Sequence, residues 1–366
     1  MQAKRSAKID SIQMLRAVAA ILVVVHHTLR AYTNHAPGYM RDLTESAFAF
    51  PWFRDGLGSG VDIFFIISGF IMVYVSRDHA EGQKSPMDFL RLRAERIYPP
   101  YIIATIFLIF LVFASTRTLP SDYSLWRISA SLTLLPSFDA NGLVQPILGV
   151  GWTLSYEMYF YLSFAVALAI GRQRYMPVLS AIIAVAWLVA SMINSSSALG
   201  VFFANPITFE FLFGCWIAFF YQANKLPRFH PLFIFPAIVS IIAAMYLHLP
   251  GVWRPIYWGL PGAVIFIAVL SLQDNQNTFR RIVVFLGDAS YSIYLIHILV
   301  IYYVAARFYP KLISLGLVAS IDQAVLMTSA ACICFGVLYH LIVEKKIIRW
   351  VQRLRKSENR ALVRKA

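Results

Sequence analysis

The sequence predicts an all-α, polytopic integral membrane protein of about ten transmembrane helices, with both termini cytoplasmic. Three observations carry this. Of the 366 residues, 59% are hydrophobic and only 14% are charged, against about 25% charged in an ordinary soluble domain. Apolar runs of about 20 residues, each able to cross roughly 30 Å of hydrocarbon as a helix, recur from Ile12 to Ile342. The cationic residues cluster on alternate connections: ten spans place 23 of the 32 Lys and Arg on one side, which the positive-inside rule makes the cytoplasm. The formal charge of +14 is thereby explained by membrane orientation, with no nucleic-acid partner.

The spans are expected at about 12–32, 57–76, 98–116, 152–171, 176–193, 203–221, 231–249, 256–273, 286–306 and 318–342. The basic flank Met1–Ser11 precedes an apolar run that lacks a small-residue cleavage site and contains Arg16, His26 and His27. A retained first helix is expected rather than a cleaved signal peptide. The outer segments 33–56 and 117–151 are expected to form a shallow vestibule. The inner segment from Ser76 reads as a loop running into a cationic amphipathic helix, Pro86 to Ile97, that ends at Pro99-Pro100. Residues 1–343 are taken as one transmembrane domain. Residues 344–366 form a basic amphipathic tail suited to anionic lipid. Cys215, Cys332 and Cys334 all lie in apolar runs without disulfide or zinc spacing, and are expected to be small buried hydrophobes.

Ionisable side chains inside spans are costly and mark function. In the first span, eleven residues separate Arg16 from His27, which puts both on one helix face about 16 Å apart, while His26 is rotated by about 100°. Arg16 then lies near the cytoplasmic interface and His27 toward the outer half. A snorkelling arginine and a hydrogen-bonded bundle histidine would satisfy the same pattern. Asp62, in Gly60-Val61-Asp62-Ile63-Phe64-Phe65, either orients an imidazole or pairs with Arg54. Arg91, Arg93 and Arg96 suit phosphate oxygens, on a lipid headgroup or on a nucleotide.

The fourth span opens with Trp152-Thr153-Leu154-Ser155-Tyr156-Glu157, and Glu157 shares a face with Tyr161. Glu210 stands at a helix N-terminus, a favourable place for an acid. In the ninth span Ser290, Tyr294 and His297 make one polar stripe beside Tyr291, the lining of a wet cavity or of a tight interhelical network. His230, His248 and His340 read as interfacial or core residues, and no metal-ligand spacing occurs.

Five elements in order resemble the acyltransferase-3 family of integral-membrane acyltransferases. They are Arg16 with His27, Gly60 to Phe70 (including Ser68), Arg93-Ala94-Glu95-Arg96-Ile97-Tyr98-Pro99, Gly151 to Glu157, and Ser290 to His297. Within that family the chain is similar to bacterial exopolysaccharide O-acetyltransferases of the succinoglycan type. The resemblance covers nearly the whole chain. It implies a bundle of about ten helices, acetyl-CoA as donor, and a sugar hydroxyl of a glycan or lipid-linked oligosaccharide as acceptor; from the histidine spacing, no metal is expected. It also implies a bacterial inner membrane.

By the same resemblance His27 is the catalytic histidine, with Arg16 in its motif and Arg93 and Arg96, flanked by Arg91, at the coenzyme. Glu157 and Asp62 rank next as catalytic candidates. Ser68, Trp152, Ser155, Tyr161, Ser290, Tyr291, Tyr294 and His297 are expected to support the site or face the acceptor. Histidine suits this role because its unperturbed pKa lets it take a hydroxyl proton near neutrality. The competing class is a secondary transporter or flippase of glycan intermediates, since intramembrane Arg, His, Asp and Glu also build proton relays. A noncatalytic scaffold for polysaccharide assembly is the third class.

Overall fold

A computed structural model describes residues 10–34, 38–40, 43–171, 174–272 and 277–365. The cationic flank before Asp10 and Arg172 lie outside the described residues. Among the described residues, nine helices are long and apolar enough to cross a membrane. They are α1 (Asp10–Thr33), α2 (Pro51–Val75), α3 (Pro86–Thr116), α4 (Gly149–Ile170), α5 (Tyr175–Ile193) and α6 (Ala198–Gln222), then, after a shorter apolar helix α7 (Pro231–Tyr246), α8 (Gly251–Leu270), α9 (Thr278–Ser314) and α10 (Ile321–Arg355). Each of the ten expected spans corresponds to one of these helices among the described residues. α7 alone falls short of the ~20 residues that a full crossing takes.

The polar backbone of each span is satisfied within the helix, as hydrocarbon requires, and departures are local. α9 widens to a π-helical turn at Val300–Ala305 and α10 does the same at His340–Glu344. α6 is broken between Phe203 and Thr208.

The inner helix beginning at Pro86 does not end at Pro99-Pro100, as the sequence reading expected. It continues unbroken to Thr116. A capping box starts it: Asp88 N donates to Ser85 Oγ, and Ser85 N donates back to the Asp88 carboxylate. A proline pair removes two ladder donors and normally kinks or ends a helix. Here tyrosines of neighbouring helices donate to carbonyls at the step, Tyr291 to Ile97 O at 2.8 Å and Tyr339 to Pro100 O at 2.6 Å. These bonds tie α9 and α10 to the step. Arg93 and Arg96 therefore ride on the same rigid rod as the span and are not part of a surface helix.

The centre of the bundle is packed backbone against backbone. A Cβ on Gly214 would lie 1.9 Å from Ile66 O, and one on Gly69 2.0 Å from Phe211 O, so α2 and α6 cross in direct contact. Gly287 of α9 meets Gln13 O of α1 at 1.9 Å by the same measure. With lipid tails as apolar as leucine, such close van der Waals approach is what holds membrane helices together. Cys215 donates to Gly69 O at this crossing and is fully buried, as is Cys332. Cys334, expected to be buried, is exposed on the outside of α10; two residues turn the helix by about 200°, so it faces away from Cys332.

Candidate active site

A cavity of about 100 Å³ lies between α1, α2, α3, α4 and α9. Three guanidiniums reach it, Arg16 from α1 and Arg93 and Arg96 from α3. None of them is in an ion pair among the described residues. Arg16 is 9% exposed and has only a long contact to Gln13 Oε1, 3.4 Å. Arg93 stacks over the rings of Phe89 and Tyr161, 5.5 and 5.9 Å from their centroids, which orients its charge without neutralising it.

The one carboxylate in the lining, Glu157, accepts from Ser68 Oγ at 2.7 Å and from the Tyr161 hydroxyl. Two neutral donors on one anion leave the cavity with an excess of positive charge. Ser290 and Tyr291 complete the polar lining, and the Ser290 hydroxyl is buried with no hydrogen-bond partner. Tyr294 closes the far end. Its hydroxyl bonds Thr153 Oγ1 and Val150 O, both at 2.9 Å, a carbonyl left available by the 3₁₀ turn Gly149–Gly151 at the head of α4.

His27 does not line this cavity. It is half-buried beyond Tyr294, with Nδ1 2.9 Å from Val23 O and 3.3 Å from His297 Nε2. His297 is fully buried, and its own Nδ1 lies 2.6 Å from Tyr294 O. The rings of Tyr294 and His297 are 5.8 Å apart, and those of His297 and His27 are 5.0 Å apart. An aromatic file thus leads from the arginine-lined cavity to His27. His26 faces a different partner, Arg54 O at 2.7 Å, in line with its rotation around the helix.

Besides His27 and His297, four expected site residues lie away from the cavity lining. Arg91 is half-exposed and bonds Glu95 at 3.1 Å, and Glu95 in turn accepts from Arg355 of the C-terminal helix at 3.0 Å. Trp152 packs on Phe65 and Tyr156, and Ser155 is buried in the bundle. Asp62 neither orients an imidazole nor pairs with Arg54, which instead holds Asp55. Asp62 is clamped by Arg254 through two parallel bonds, Nε to Oδ1 at 2.8 Å and Nη2 to Oδ2 at 2.9 Å. Arg254, which the sequence reading did not select, also lies 4.6 Å from the Trp258 ring centroid. Its only sequence signal was a lone cation just before an apolar run. Beside this pair Glu210 is fully buried with both carboxyl oxygens unpartnered.

The Asp62–Arg254 pair pins α2 to α8, and removing one member strands the other. Asp62→Ala is expected to destabilise the protein by about 3–5 kcal/mol, read as a lower melting temperature in detergent. The double variant Asp62→Ala with Arg254→Met should recover most of the loss. A single variant that melts with the wild type would show that the pair holds nothing.

Residues 9–340 match the family described as the acyltransferase domain. The chain belongs to this acyltransferase-3 family of enzymes. It is 30% identical over 298 residues to the exopolysaccharide production protein ExoZ of Rhizobium meliloti, covering 80% of this chain and 89% of that one. It is 27% identical to acyltransferase MdmB of Streptomyces mycarofaciens, over 82% of this chain and 83% of the relative. With the peptidoglycan O-acetyltransferase OatA of Listeria monocytogenes it shares 23% identity, over 79% of this chain and 49% of that longer protein. No solved structure matches the chain. The protein is therefore a membrane-integrated acyltransferase.

Proposed function

We propose that the protein moves an acetyl group from cytosolic acetyl-CoA to a hydroxyl of a surface or exopolysaccharide sugar, within a bacterial inner membrane. Residues 1–343 act as one catalytic domain, and residues 344–366 as a basic tail on the cytoplasmic leaflet. The observation that carries this reading is the cavity with three guanidiniums and no ion-paired carboxylate. Coenzyme A is a polyanion, and guanidinium forks match phosphate oxygens. The pantetheine arm then runs along the aromatic file toward His27, which serves as general base or as acyl carrier. Names among the relatives, exopolysaccharide production and peptidoglycan O-acetylation, favour a glycan acceptor.

The donor half is tested by binding of radiolabelled acetyl-CoA to the purified protein in lipid nanodiscs. Hydrogen bonds to charged groups contribute about 1.5–3 kcal/mol each, so Arg93→Ala with Arg96→Ala should weaken binding at least about tenfold. Binding no better than to empty nanodiscs would overturn the donor assignment and favour the glycan transporter. The acceptor half is read from ester-linked acetyl in the host's exopolysaccharide and its lipid-linked precursor. Acetyl content should fall, with glycan output unchanged, when the protein is removed.

A further inference from the structure

Backbone carbonyls and the contact between the two rings fix the tautomers of the His27 and His297 imidazoles. A backbone carbonyl only accepts, so the ring nitrogen facing it must carry a hydrogen. His27 Nδ1 lies 2.9 Å from Val23 O, and His297 Nδ1 lies 2.6 Å from Tyr294 O; both Nδ1 atoms are therefore protonated. His297 Nε2 stands 3.3 Å from that same His27 Nδ1. Two N–H groups cannot point at each other, so His297 Nε2 is bare and accepts a share of the His27 proton. His297 is thus a neutral ring with its single hydrogen on Nδ1. His26, whose ring centroid is 5.0 Å from that of His27, is occupied with Arg54 O through its own Nδ1 and does not compete.

From this geometry we infer that His297 is a positioning residue: it holds the His27 ring with Nδ1–H turned inward and Nε2 free as the reacting atom. The inference rests on the reading that His27 performs the transfer. Val23 O alone is a loose anchor, because it also serves the helix ladder at the i−4 position. A second acceptor in a buried, fixed place defines the ring plane. It also receives a stronger hydrogen bond once His27 takes the acceptor hydroxyl proton on Nε2 and becomes positive. The sugar oxygen then attacks the thioester carbonyl carbon, the carbon–sulfur bond breaks, and the departing CoA thiolate takes the proton from Nε2. His27 returns to its starting state.

The test compares His297→Ala with His297→Gln, whose side-chain oxygen offers an acceptor near the place of Nε2. At matched folded abundance, His297→Ala should lower kcat by about ten- to a hundredfold, the scale of lost orienting partners, with KM for acetyl-CoA unchanged. His297→Gln should regain most of that rate. Equal impairment in both variants, or wild-type kcat in His297→Ala beside an inactive His27→Ala, overturns the positioning role. Transfer retained in His27→Ala overturns the reading beneath it instead. A readout that needs no His297 variant is the nitrogen-15 spectrum of histidine-labelled protein, with His27 assigned by its absence in His27→Ala. A protonated Nδ1 and bare Nε2 on His27 support the proposal, and a proton on Nε2 overturns it.

Discussion

Replacing His27 with alanine is expected to lower acetyl transfer by about a hundred- to ten-thousandfold, the range that a positioned base supplies. Membrane abundance and acetyl-CoA affinity should stay at wild-type level. The split follows from placement. His27 is half-buried and lies outside the lining of the arginine cavity, so its loss leaves Arg16, Arg93 and Arg96, the proposed donor contacts, in place. The polar and aromatic partners of the ring are one backbone carbonyl and two imidazoles. The measurement is acetyl-CoA turnover in nanodiscs with a soluble glycan acceptor, alongside equilibrium binding. Wild-type turnover in the variant would remove His27 from the chemistry.

The same assay separates the two roles open to His27. As acyl carrier its Nε2 attacks the thioester carbonyl, giving acetyl-imidazole and free CoA before any sugar is present. One CoA per protein is then released in an acceptor-free burst. As general base it waits for the hydroxyl, and no burst occurs.

The span pattern was legible because hydrocarbon imposes it. A crossing segment needs a long apolar run whatever it packs against, so composition alone located all ten helices. What hydropathy does not carry is the choice of partner. Asp62 and Arg254 are 192 residues apart, and nothing local in either segment distinguishes that pairing from one with Arg54. Pro99-Pro100 read as a helix end because the rule for prolines is local. The hydroxyls of Tyr291 and Tyr339 at the step come from α9 and α10. Cys334 was misplaced because an apolar run shows that a helix is in lipid and not which of its faces meets protein.

The site was legible to a different degree. Glu157 with Tyr161, and Ser290 with Tyr294 and His297, were found from helical spacing; the structure gathers Glu157, Tyr161, Ser290 and Tyr294 with Ser68 and the arginines, and sets His297 against His27. The spacing of Arg16 and His27 suggested one shared face. In the structure that face is divided by Tyr294 of α9, with Arg16 in the cavity and His27 behind it. α9 lies directly against α1 at Gly287, where a Cβ would meet Gln13 O at 1.9 Å. A single glycine in an apolar run gives no sign of what it touches.

Gly214→Ala is expected to abolish accumulation of folded protein. The added methyl would lie 1.9 Å from Ile66 O, 2.8 Å from Ile66 C and 2.8 Å from Phe70 N, all backbone atoms of α2. No rotamer change relieves a clash with backbone, so α2 and α6 must separate, and helix association in lipid depends on that close approach. Separation would also shift Ser68, next to Gly69 on α2, away from Glu157, 2.7 Å across the cavity. Gly69→Ala should be about as severe, since its methyl would meet Phe211 O at 2.0 Å. Gly251→Ala is the control: nothing lies within 4 Å of a methyl there, and alanine is the better helix former. Detergent-extracted yield, elution as a single species and melting temperature are compared for the three variants. If Gly214→Ala accumulates and melts like Gly251→Ala, the α2–α6 crossing is not the contact that holds the bundle together.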